Sequence, residues 1–245
     1  MRLHATCAYK GTNYSGWQKQ VNEPTVQEEI EKVISRILNV ETSIQGSGRT
    51  DALVHANEQH FHFEVNDEKK IDIERFMYSI NCLLPRDIAI TSLEKVDESF
   101  HSRFSAKEKV YIYKISRKAK DPFKEDLYWL NPNPFDYELL VKSLSLFEGE
   151  HDFRCFTSKE EDEDNYVRNI SKILVKEDNE DVIISFTGNG FMRYQIRFMV
   201  GTAVAVASKD EDISYIKNHL DSGVNREIVR YKAPGQGLYL DKVIY

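Results

Sequence analysis

The order of strand-like and helix-like segments constrains the fold of this chain more than any other feature of its sequence. In the N-terminal part, β-rich stretches predict strands at residues 2–9, 42–45, 58–65 and 88–96. Apolar residues at helical spacing predict two helices, one opened at Thr25 by a TVQE capping box and one over 73–84 that ends at Pro85. Strand, helix, strand, strand, helix, strand is the order of a ferredoxin-like unit.

A similar order recurs in the rest of the chain. Strands are predicted at 109–116, 170–176, 182–187 and in the closing GLYLDKVIY. A helix capped by Asp136 follows the first of these strands, a largely apolar helix spans about 191–208, and a short additional helix lies near 213–220. We therefore predict an α+β fold of two ferredoxin-like (β-α-β-β-α-β) halves, residues 1–104 and 105–245, joined into one mixed, mainly antiparallel sheet with a central cleft.

Composition excludes several classes of protein. The 245 residues are 41% hydrophobic and 30% charged, which is typical of a globular chain and too apolar for a disordered one. No apolar run is long enough for a membrane helix, and the N-terminus lacks the pattern of a secretory signal. The three cysteines lie far apart without CxxC spacing, so we expect no disulfide framework, no cysteine zinc site and a cytoplasmic location.

Charge is distributed unevenly along the chain. Lysine and arginine number 33 against 40 acids, and the resulting net charge of −7 opposes the binding of a polyanion. Five consecutive acids at 160–164 are expected to form a solvated loop, whereas the segment 103–120 holds one acid among many cations. These cations are Arg103, Lys107, Lys109, Lys114, Arg117, Lys118 and Lys120. Either a nucleic acid binds there, or the lysines are solvated on a strand edge.

The sequence GSGRTDALVHA, between two predicted strands, is a candidate reactive loop. Its glycines allow unusual backbone dihedrals or the close approach of a ligand. Arg49 and Asp51 are separated by one residue. The commonest explanation of that spacing is a salt bridge within a turn. In the functional interpretation, Arg49 stabilises the ionised form of Asp51 or holds a phosphate, and Asp51 is a nucleophile or a base.

Histidines suggest a metal site only weakly. His60 and His62 lie two residues apart on a predicted strand, with His55 nearby, so two imidazoles would share one face. No carboxylate or cysteine completes an obvious ligand set, and HFHF alternates as a half-buried strand does. The sequence also contains no P-loop, Rossmann fingerprint or G-x-S-x-G elbow, so cofactor-free chemistry or simple binding remains.

Two further pairs are candidates for binding. Arg193 and Arg197 are spaced to share one face of the predicted apolar helix, where a basic pair is either partnered by acids or forms an anion site. Tyr111 and Tyr113 share one face of a strand in the basic segment. The tyrosines either pack in the core or offer a platform on which a base stacks.

Seven segments of the sequence follow one another in an order that resembles a known family. YKGTNYSGWQKQ resembles a Y-x-G-T-x-Y-x-G-W-Q-x-Q opening, and GRTDALVHA resembles a G-R-T-D-A-G-V-H-A active-site loop. The other five are NCLLPRDI, FHSRFSAKEKVYIYKI, GEHDF, GFMRYQIRFMVGT and APGQGLYL. In order and approximate spacing, these segments resemble the TruA family of tRNA pseudouridine synthases over almost the whole chain.

The resemblance implies roles for four residues. Asp51 is expected to be the catalytic aspartate and Arg49 its neighbour in the active-site loop. Tyr111 is expected to lie against the target base, and Arg197 to pair with the aspartate. The candidates for substrate binding are Tyr111, Arg103, Lys107, Lys109 and Arg193.

The resemblance also implies a fold, a substrate and an assembly. The family's fold is two ferredoxin-like halves in one antiparallel sheet, and its reaction isomerises uridine 38, 39 or 40 in the anticodon stem-loop of tRNA. It implies a homodimer that binds tRNA in a basic cleft and uses no metal and no cofactor.

Three positions depart from the family pattern. Leu53 stands where the family has glycine, so either this backbone is not in a glycine-only conformation or the RNA approaches the loop differently. Lys109 replaces an expected arginine, and Gln195 replaces an expected apolar residue. Two alternatives to an isomerase remain open: a tRNA-binding protein that has lost catalysis, and a glycosidase that removes the base.

Overall fold

The computed structural model shows a mixed α+β protein. It describes residues 1–66, 71–158, 165–223 and 227–245. The acidic run predicted at 160–164 to be a solvated loop lies outside the described residues. None of the described helices combines the length and the apolar character that crossing a membrane would require.

Ten strands and five α-helices occur among these residues. The strands are β1 (Arg2–Tyr9), β2 (Gln45–Gly46), β3 (His55–Glu64), β4 (Ile88–Val96), β5 (Glu108–Ser116), β6 (Trp129–Leu130), β7 (Gly149–Asp152), β8 (Val167–Asp178), β9 (Asp181–Gly188) and β10 (Leu238–Ile244). The helices are α1 (Val26–Leu38), α2 (Ile73–Leu83), α3 (Tyr137–Ser145), α4 (Gln195–Ala207) and α5 (Ser214–His219).

The chain divides into two compact units. The first comprises Met1–Lys107 and Tyr239–Tyr245, and the second comprises Glu108–Leu238. The sequence predicted halves of 1–104 and 105–245. The closing segment Tyr239–Tyr245 lies with the first unit, where β10 pairs in parallel with β3.

In the first unit, β1 lies between β3 and β4 and is antiparallel to both. Leu3 of β1 lies opposite Phe63 of β3, and Ala5 lies opposite Phe61. All four side chains are buried, and α2 covers this face, since its Phe76 ring lies 6.4 Å from that of Phe63. α1 packs beside α2, so the apolar faces predicted for both helices form one core with the sheet.

The predicted strand at 42–45 is wrong except for its last residue. Only Gln45 and Gly46 pair with β3. The backbone N–H of Thr42 donates to Ser35 Oγ at 2.9 Å, and that of Ile44 donates to Glu31 Oε1 at 3.0 Å. Side chains of α1 therefore satisfy backbone groups that a strand partner would otherwise take.

The face of β1 opposite the helices carries hydrogen-bonded histidines. Nε2 of His4 lies 2.8 Å from Nδ1 of His60, and Nδ1 of His62 lies 3.0 Å from Ser102 Oγ. The structure arranges no three His, Cys, Asp or Glu side chains to hold a metal ion, as far as its described residues extend. These histidines bond to other side chains of the first unit instead.

In the second unit, β9 lies between β5 and β8, antiparallel to both, and β7 extends the sheet beyond β8. The short β6 pairs in parallel with the end of β5. The strands predicted in this unit are confirmed, and β8 extends beyond both ends of the predicted 170–176.

α3 begins as predicted at Asp136, whose Oδ1 accepts the N–H of Leu139 at 3.0 Å. Its expected apolar face, formed by Leu140 and Leu144 with Phe147 just beyond the helix, is fully buried. α3 packs against α4, so the cap fixes where a core helix begins.

α4 begins later than predicted. Tyr194 has a left-handed backbone with φ +62°, which a right-handed helix does not contain, so the helix starts at Gln195 rather than near 191. Arg193 therefore lies in the turn before α4, and the prediction that it shares a helix face with Arg197 is wrong.

The cap of α3 should contribute measurably to stability. We expect Asp136→Ala to lower the free energy of unfolding by about 1 kcal/mol, because the N–H of Leu139 loses its acceptor. Asp136→Asn keeps a side-chain acceptor and should retain most of that stability in urea denaturation. Equal losses in the two variants would contradict the capping role.

His62 should make stability depend on pH. Burial, aided by the nearby charges of His101 and Arg2, lowers its pKa from 6.5 to about 4. The unfolded chain then binds a proton on His62 more readily than the folded protein does. The contribution of neutral His62 to the free energy of unfolding is therefore fully present above pH 6.5 and is lost as the pH falls toward 4.

The slope that His62 contributes should be largest midway between these two values and reach at most about 1.4 kcal/mol per pH unit. We expect His62→Asn to remove this part of the slope in urea titrations at pH 7, 6 and 5. Parallel pH profiles for the wild type and the variant would contradict the assignment.

Candidate active site

Asp51 lies in the loop between β2 and β3, at the start of a tight turn. Its backbone carbonyl accepts the N–H of Val54 at 3.2 Å, and its side chain is half-buried. The preceding Thr50 is held twice: its carbonyl accepts the N–H of Trp17 at 3.1 Å, and its Oγ1 lies 2.7 Å from the Tyr9 hydroxyl oxygen. The end of β1 and the segment after it therefore hold the backbone at the start of the turn that carries Asp51.

Two glycines allow that segment to approach the loop. At Gly16, φ is +101°, and a Cβ would lie 2.5 Å from the Thr50 carbonyl oxygen. A Cβ on Gly11 would lie 2.1 Å from the carbonyl oxygen of Val54. The Gly11 N–H donates to Nδ1 of His55 at 2.9 Å, so this histidine, which the sequence made a candidate metal ligand, is a hydrogen-bond acceptor that anchors the loop.

A buried glutamine holds the other side of the loop. Ser47 Oγ donates to Gln59 Oε1 at 2.7 Å, and Gln59 Nε2 donates to the Gly48 carbonyl at 3.1 Å. Gln59 is fully buried on β3. Sequence reasoning missed it, because a glutamine at one strand position carries no recognisable signal.

Leu53 has a backbone conformation that favours glycine. Its φ is +68°, in the left-handed region, and its side chain is 41% exposed. Of the two alternatives for this position, the one in which the backbone has left the glycine-only conformation is therefore wrong. The turn keeps the conformation and carries the strain of a Cβ.

Arg49 is exposed and does not lie in a salt bridge of the turn. Its Nε donates to Gln18 Oε1 at 3.2 Å, and it forms no ion pair among the residues that the structure describes. Of the possibilities that the sequence left open, a guanidinium presented to a phosphate fits this exposure best.

The two tyrosines of β5 differ in their surroundings. Tyr111 is 8% exposed, lies opposite Phe186 of β9, and meets Phe191 edge to face with 5.2 Å between the ring centres. Tyr113 is fully buried, and its hydroxyl donates to the Pro234 carbonyl at 2.7 Å. Burial raises the pKa of Tyr113 well above its ordinary value, so Tyr113 is a neutral core residue.

Arg197 lies in the first turn of α4 and is half-buried. Its Nε donates to the Ala233 carbonyl at 2.8 Å, and its Cζ lies 5.0 Å from the centre of the Tyr194 ring. These contacts hold the guanidinium in one orientation.

Gln195, which replaces the expected apolar residue, is fully buried at the start of α4. Its Oε1 accepts the N–H of Met192 at 2.9 Å, whereas its Nε2 has no hydrogen-bond partner within the described part of the chain. The side chain therefore closes the turn that places Arg193 and Tyr194 before the helix.

The remaining candidates for RNA binding are surface cations in different settings. Arg103 and Lys107 are exposed, and neither forms an ion pair with any residue that the structure describes. Lys109 is half-buried on β5, and Arg193 is exposed with its Nη2 3.1 Å from the Tyr194 hydroxyl. Each guanidinium or ammonium group has at least partial access to solvent.

Acids neutralise part of the basic segment. Arg117 pairs with Glu177 at 2.7 Å, and Lys118 pairs with Asp121 at 3.3 Å. These two cations therefore have a structural role, and the net positive charge at this segment is smaller than the sequence suggests.

Sequence reasoning also missed Tyr194 and Lys232. Nζ of Lys232 lies 4.4 Å from the centre of the Tyr194 ring. The two residues are far apart in the chain, and no spacing rule relates them. The available signals were that Tyr194 lies within GFMRYQIRFMVGT and that Lys232 directly precedes APGQGLYL, two segments that carry the resemblance.

Strain at Leu53 should be measurable. We expect Leu53→Gly to raise the free energy of unfolding by up to about 1 kcal/mol, because relief of about 1–2 kcal/mol exceeds the entropic cost of glycine of about 0.5–1 kcal/mol. Leu53→Val places a β-branched residue at the same φ and should lower stability. Urea denaturation measures both, and a more stable valine variant would contradict the left-handed conformation.

Comparison with known proteins identifies the family of this chain. The sequence model of a family described as tRNA pseudouridine synthase matches residues 5–105 and 144–245. A protein named tRNA pseudouridine synthase A from Lactococcus lactis subsp. cremoris is 38% identical over 247 residues, covering 100% of this chain and 97% of that protein.

Two other relatives align over similar lengths. A tRNA pseudouridine synthase A 1 from Bacillus cereus is 36% identical, covering 100% of this chain and 98% of that protein. One of the same name from Protochlamydia amoebophila is 39% identical, covering 98% of this chain and 94% of that protein. With the family match spanning most of the sequence, the chain belongs to the tRNA pseudouridine synthase family.

Proposed function

We propose that this chain converts uridine to pseudouridine in the anticodon stem-loop of tRNA, at positions 38, 39 and 40, with Asp51 as the nucleophile. Family membership makes the chain a pseudouridine synthase, an isomerase that acts on uridine in tRNA. The observation that carries the role of Asp51 is its place in the GRTD turn, half-buried in a loop that hydrogen bonds hold on both sides.

The reaction breaks the C1′–N1 bond of uridine and forms a C1′–C5 bond. The hydrogen on C5 leaves as a proton and N1 gains a proton, so atoms and charge balance without oxidation or reduction. An ionised carboxylate can add to C1′, as a glycosidase nucleophile does, or to the base itself. The detached base must then rotate without escaping, which requires a pocket that contains little water.

The other proposed catalytic residues follow from the family pattern and their local surroundings. Tyr111 supplies the aromatic face against which the base turns, and its buried ring packed on Phe191 supports this role. Arg197 pairs with the catalytic aspartate, and its fixed guanidinium supports that role. Arg49, exposed beside the turn, contacts the RNA backbone.

The substrate must be bound and its base extruded from the stack, at a cost of a few kcal/mol. We assign the offsetting phosphate contacts to Arg103, Lys107, Lys109 and Arg193, which counter the overall charge of −7 locally. We further propose a homodimer in the cytoplasm that requires no cofactor.

We also propose that each unit has a ferredoxin-like plan. In the first unit, β1, α1, β2, β3, α2 and β4 follow one another in that order, and β1 pairs with both β3 and β4, which supports the proposal. In the second unit, an apolar helix follows two antiparallel strands as the plan requires.

Removal of the Asp51 carboxylate should abolish turnover. We expect Asp51→Asn to release no tritium from tRNA transcripts labelled at C5 of uridine, while tRNA binding stays largely intact. Asp210→Asn, the same change at an exposed position, is the matched control and should release tritium as the wild type does. Full release by the Asp51 variant would overturn the assignment, and no release by the wild type in enzyme excess would favour a protein that only binds tRNA.

A further inference from the structure

Three cationic groups surround one aromatic ring in the second unit. Nζ of Lys232 lies 4.4 Å from the centre of the Tyr194 ring, Cζ of Arg193 lies 4.9 Å away, and Cζ of Arg197 lies 5.0 Å away. Cations favour the face of a tyrosine ring, but three like charges this close together repel one another. A bound group with negative charge would offset the repulsion between the two exposed cations, Arg193 and Lys232.

Two of the three cations are presented to solvent. Arg197 is engaged with the Ala233 carbonyl, whereas Arg193 and Lys232 are exposed and enter no ion pair with any described residue. The Arg193 side chain contacts the ring and hydroxyl of Tyr194, and Lys232 also lies 5.7 Å from the centre of the Phe198 ring. The described part of the protein thus positions a guanidinium and an ammonium on aromatic rings without pairing either with an acid.

The backbone conformation at Tyr194 is a further sign that the cations are held in place. Its φ of +62° is costly for a residue with a Cβ and persists only where the surroundings impose it. This turn is what places Arg193 beside the ring rather than on α4, where the sequence predicted it. The strained turn at Tyr194 therefore sets the position of Arg193 beside the ring.

We propose that Arg193 and Lys232, braced on Tyr194, form a clamp that binds one phosphodiester group of the RNA backbone. A guanidinium offers paired N–H donors to two phosphate oxygens. An ammonium adds a compact positive charge, which makes a third contact with the phosphate. Tyr194 is a positioning residue, since it holds both cations and does not itself carry charge. This inference rests on the proposed action on tRNA, and it assigns Lys232 and Tyr194 to the RNA-binding surface.

The test of the clamp is the salt dependence of tRNA binding. The variants are Arg193→Gln, Lys232→Gln and the double variant, with Lys142→Gln on the exposed side of α3 as the matched control. We expect the double variant to bind an unmodified tRNA transcript about tenfold more weakly and to raise KM more than it lowers kcat. The slope of log K against log salt should fall by about 1, because one phosphate contact is lost.

The size of the change in slope shows how many phosphates the two cations hold. If the salt slope of the double variant falls by about 2, the two cations contact two separate phosphates. If it equals the slope of Lys142→Gln, the cations form a structural cluster that does not bind RNA. Either result overturns the proposal. Tight binding of inorganic phosphate at constant ionic strength, with unchanged tRNA affinity in the variants, would assign the site to a free anion and also overturns it.

Tyr194 provides a second, independent readout. Tyr194→Phe keeps the ring and should bind tRNA almost as the wild type does, whereas Tyr194→Leu should reproduce the lower salt slope. Equal slopes for the phenylalanine and leucine variants would contradict the bracing role.

Failure of the clamp is distinguishable from failure of the proposed function. If wild-type protein forms pseudouridine but the slopes do not change, the clamp is wrong and the enzyme assignment stands. If the slopes change but no pseudouridine forms, the protein binds RNA through this site and the catalytic assignment is wrong.

Discussion

The close approach of the backbone after β1 to the loop that carries Asp51 determines the geometry of the candidate active site. At Gly16 and Gly11 the two segments come so near that any Cβ would collide with a carbonyl oxygen of the loop. A hydrogen bond from the Trp17 N–H to the Thr50 carbonyl, and one between the Tyr9 and Thr50 hydroxyls, then hold the turn from one side. The opening segment YKGTNYSGW and the loop GRTDALVHA are thus two parts of one structure, although the whole of α1 separates them in sequence.

The same turn carries the strain at Leu53. It is held at Thr50 and closed by the hydrogen bond from the Val54 N–H to the Asp51 carbonyl, and within it Leu53 has a left-handed φ of +68°. A leucine is tolerated because its side chain reaches solvent and displaces nothing buried. The turn therefore keeps its geometry although Leu53 replaces the glycine of the family pattern.

Much of the fold could be predicted from local sequence signals. The caps at Thr25 and Asp136 were predicted because a polar side chain before an apolar periodic run has a local partner two or three residues on. The errors arose where tertiary contacts override local pattern. Side chains of α1 capture the backbone at Thr42 and Ile44, and the left-handed Tyr194 ends the apparent helical run before α4.

The candidate site was predictable to the extent that a motif marks it. Asp51, Arg49, Tyr111 and Arg197 all lie in segments with a recognisable pattern. Gln59 and Lys232 lie outside these segments, and their contacts depend on burial or on a residue distant in the chain. Tyr194 lies in GFMRYQIRFMVGT, but nothing in that pattern indicates its contact with Lys232. The overall acidity was a poor guide, because charge acts locally: acids neutralise Arg117 and Lys118 of the basic segment, whereas Arg193 and Lys232 beside Tyr194 enter no ion pair with a described residue.

A nucleoside balance would decide whether this chain isomerises uridine in tRNA, removes the base or merely binds the RNA. Unmodified tRNA transcripts are incubated with excess wild-type protein, digested to nucleosides and quantified by chromatography. We expect pseudouridine in an amount equal to the uridine lost, in intact RNA and without free uracil. Free uracil with abasic sites, or unchanged uridine at full binding, would contradict the isomerase assignment.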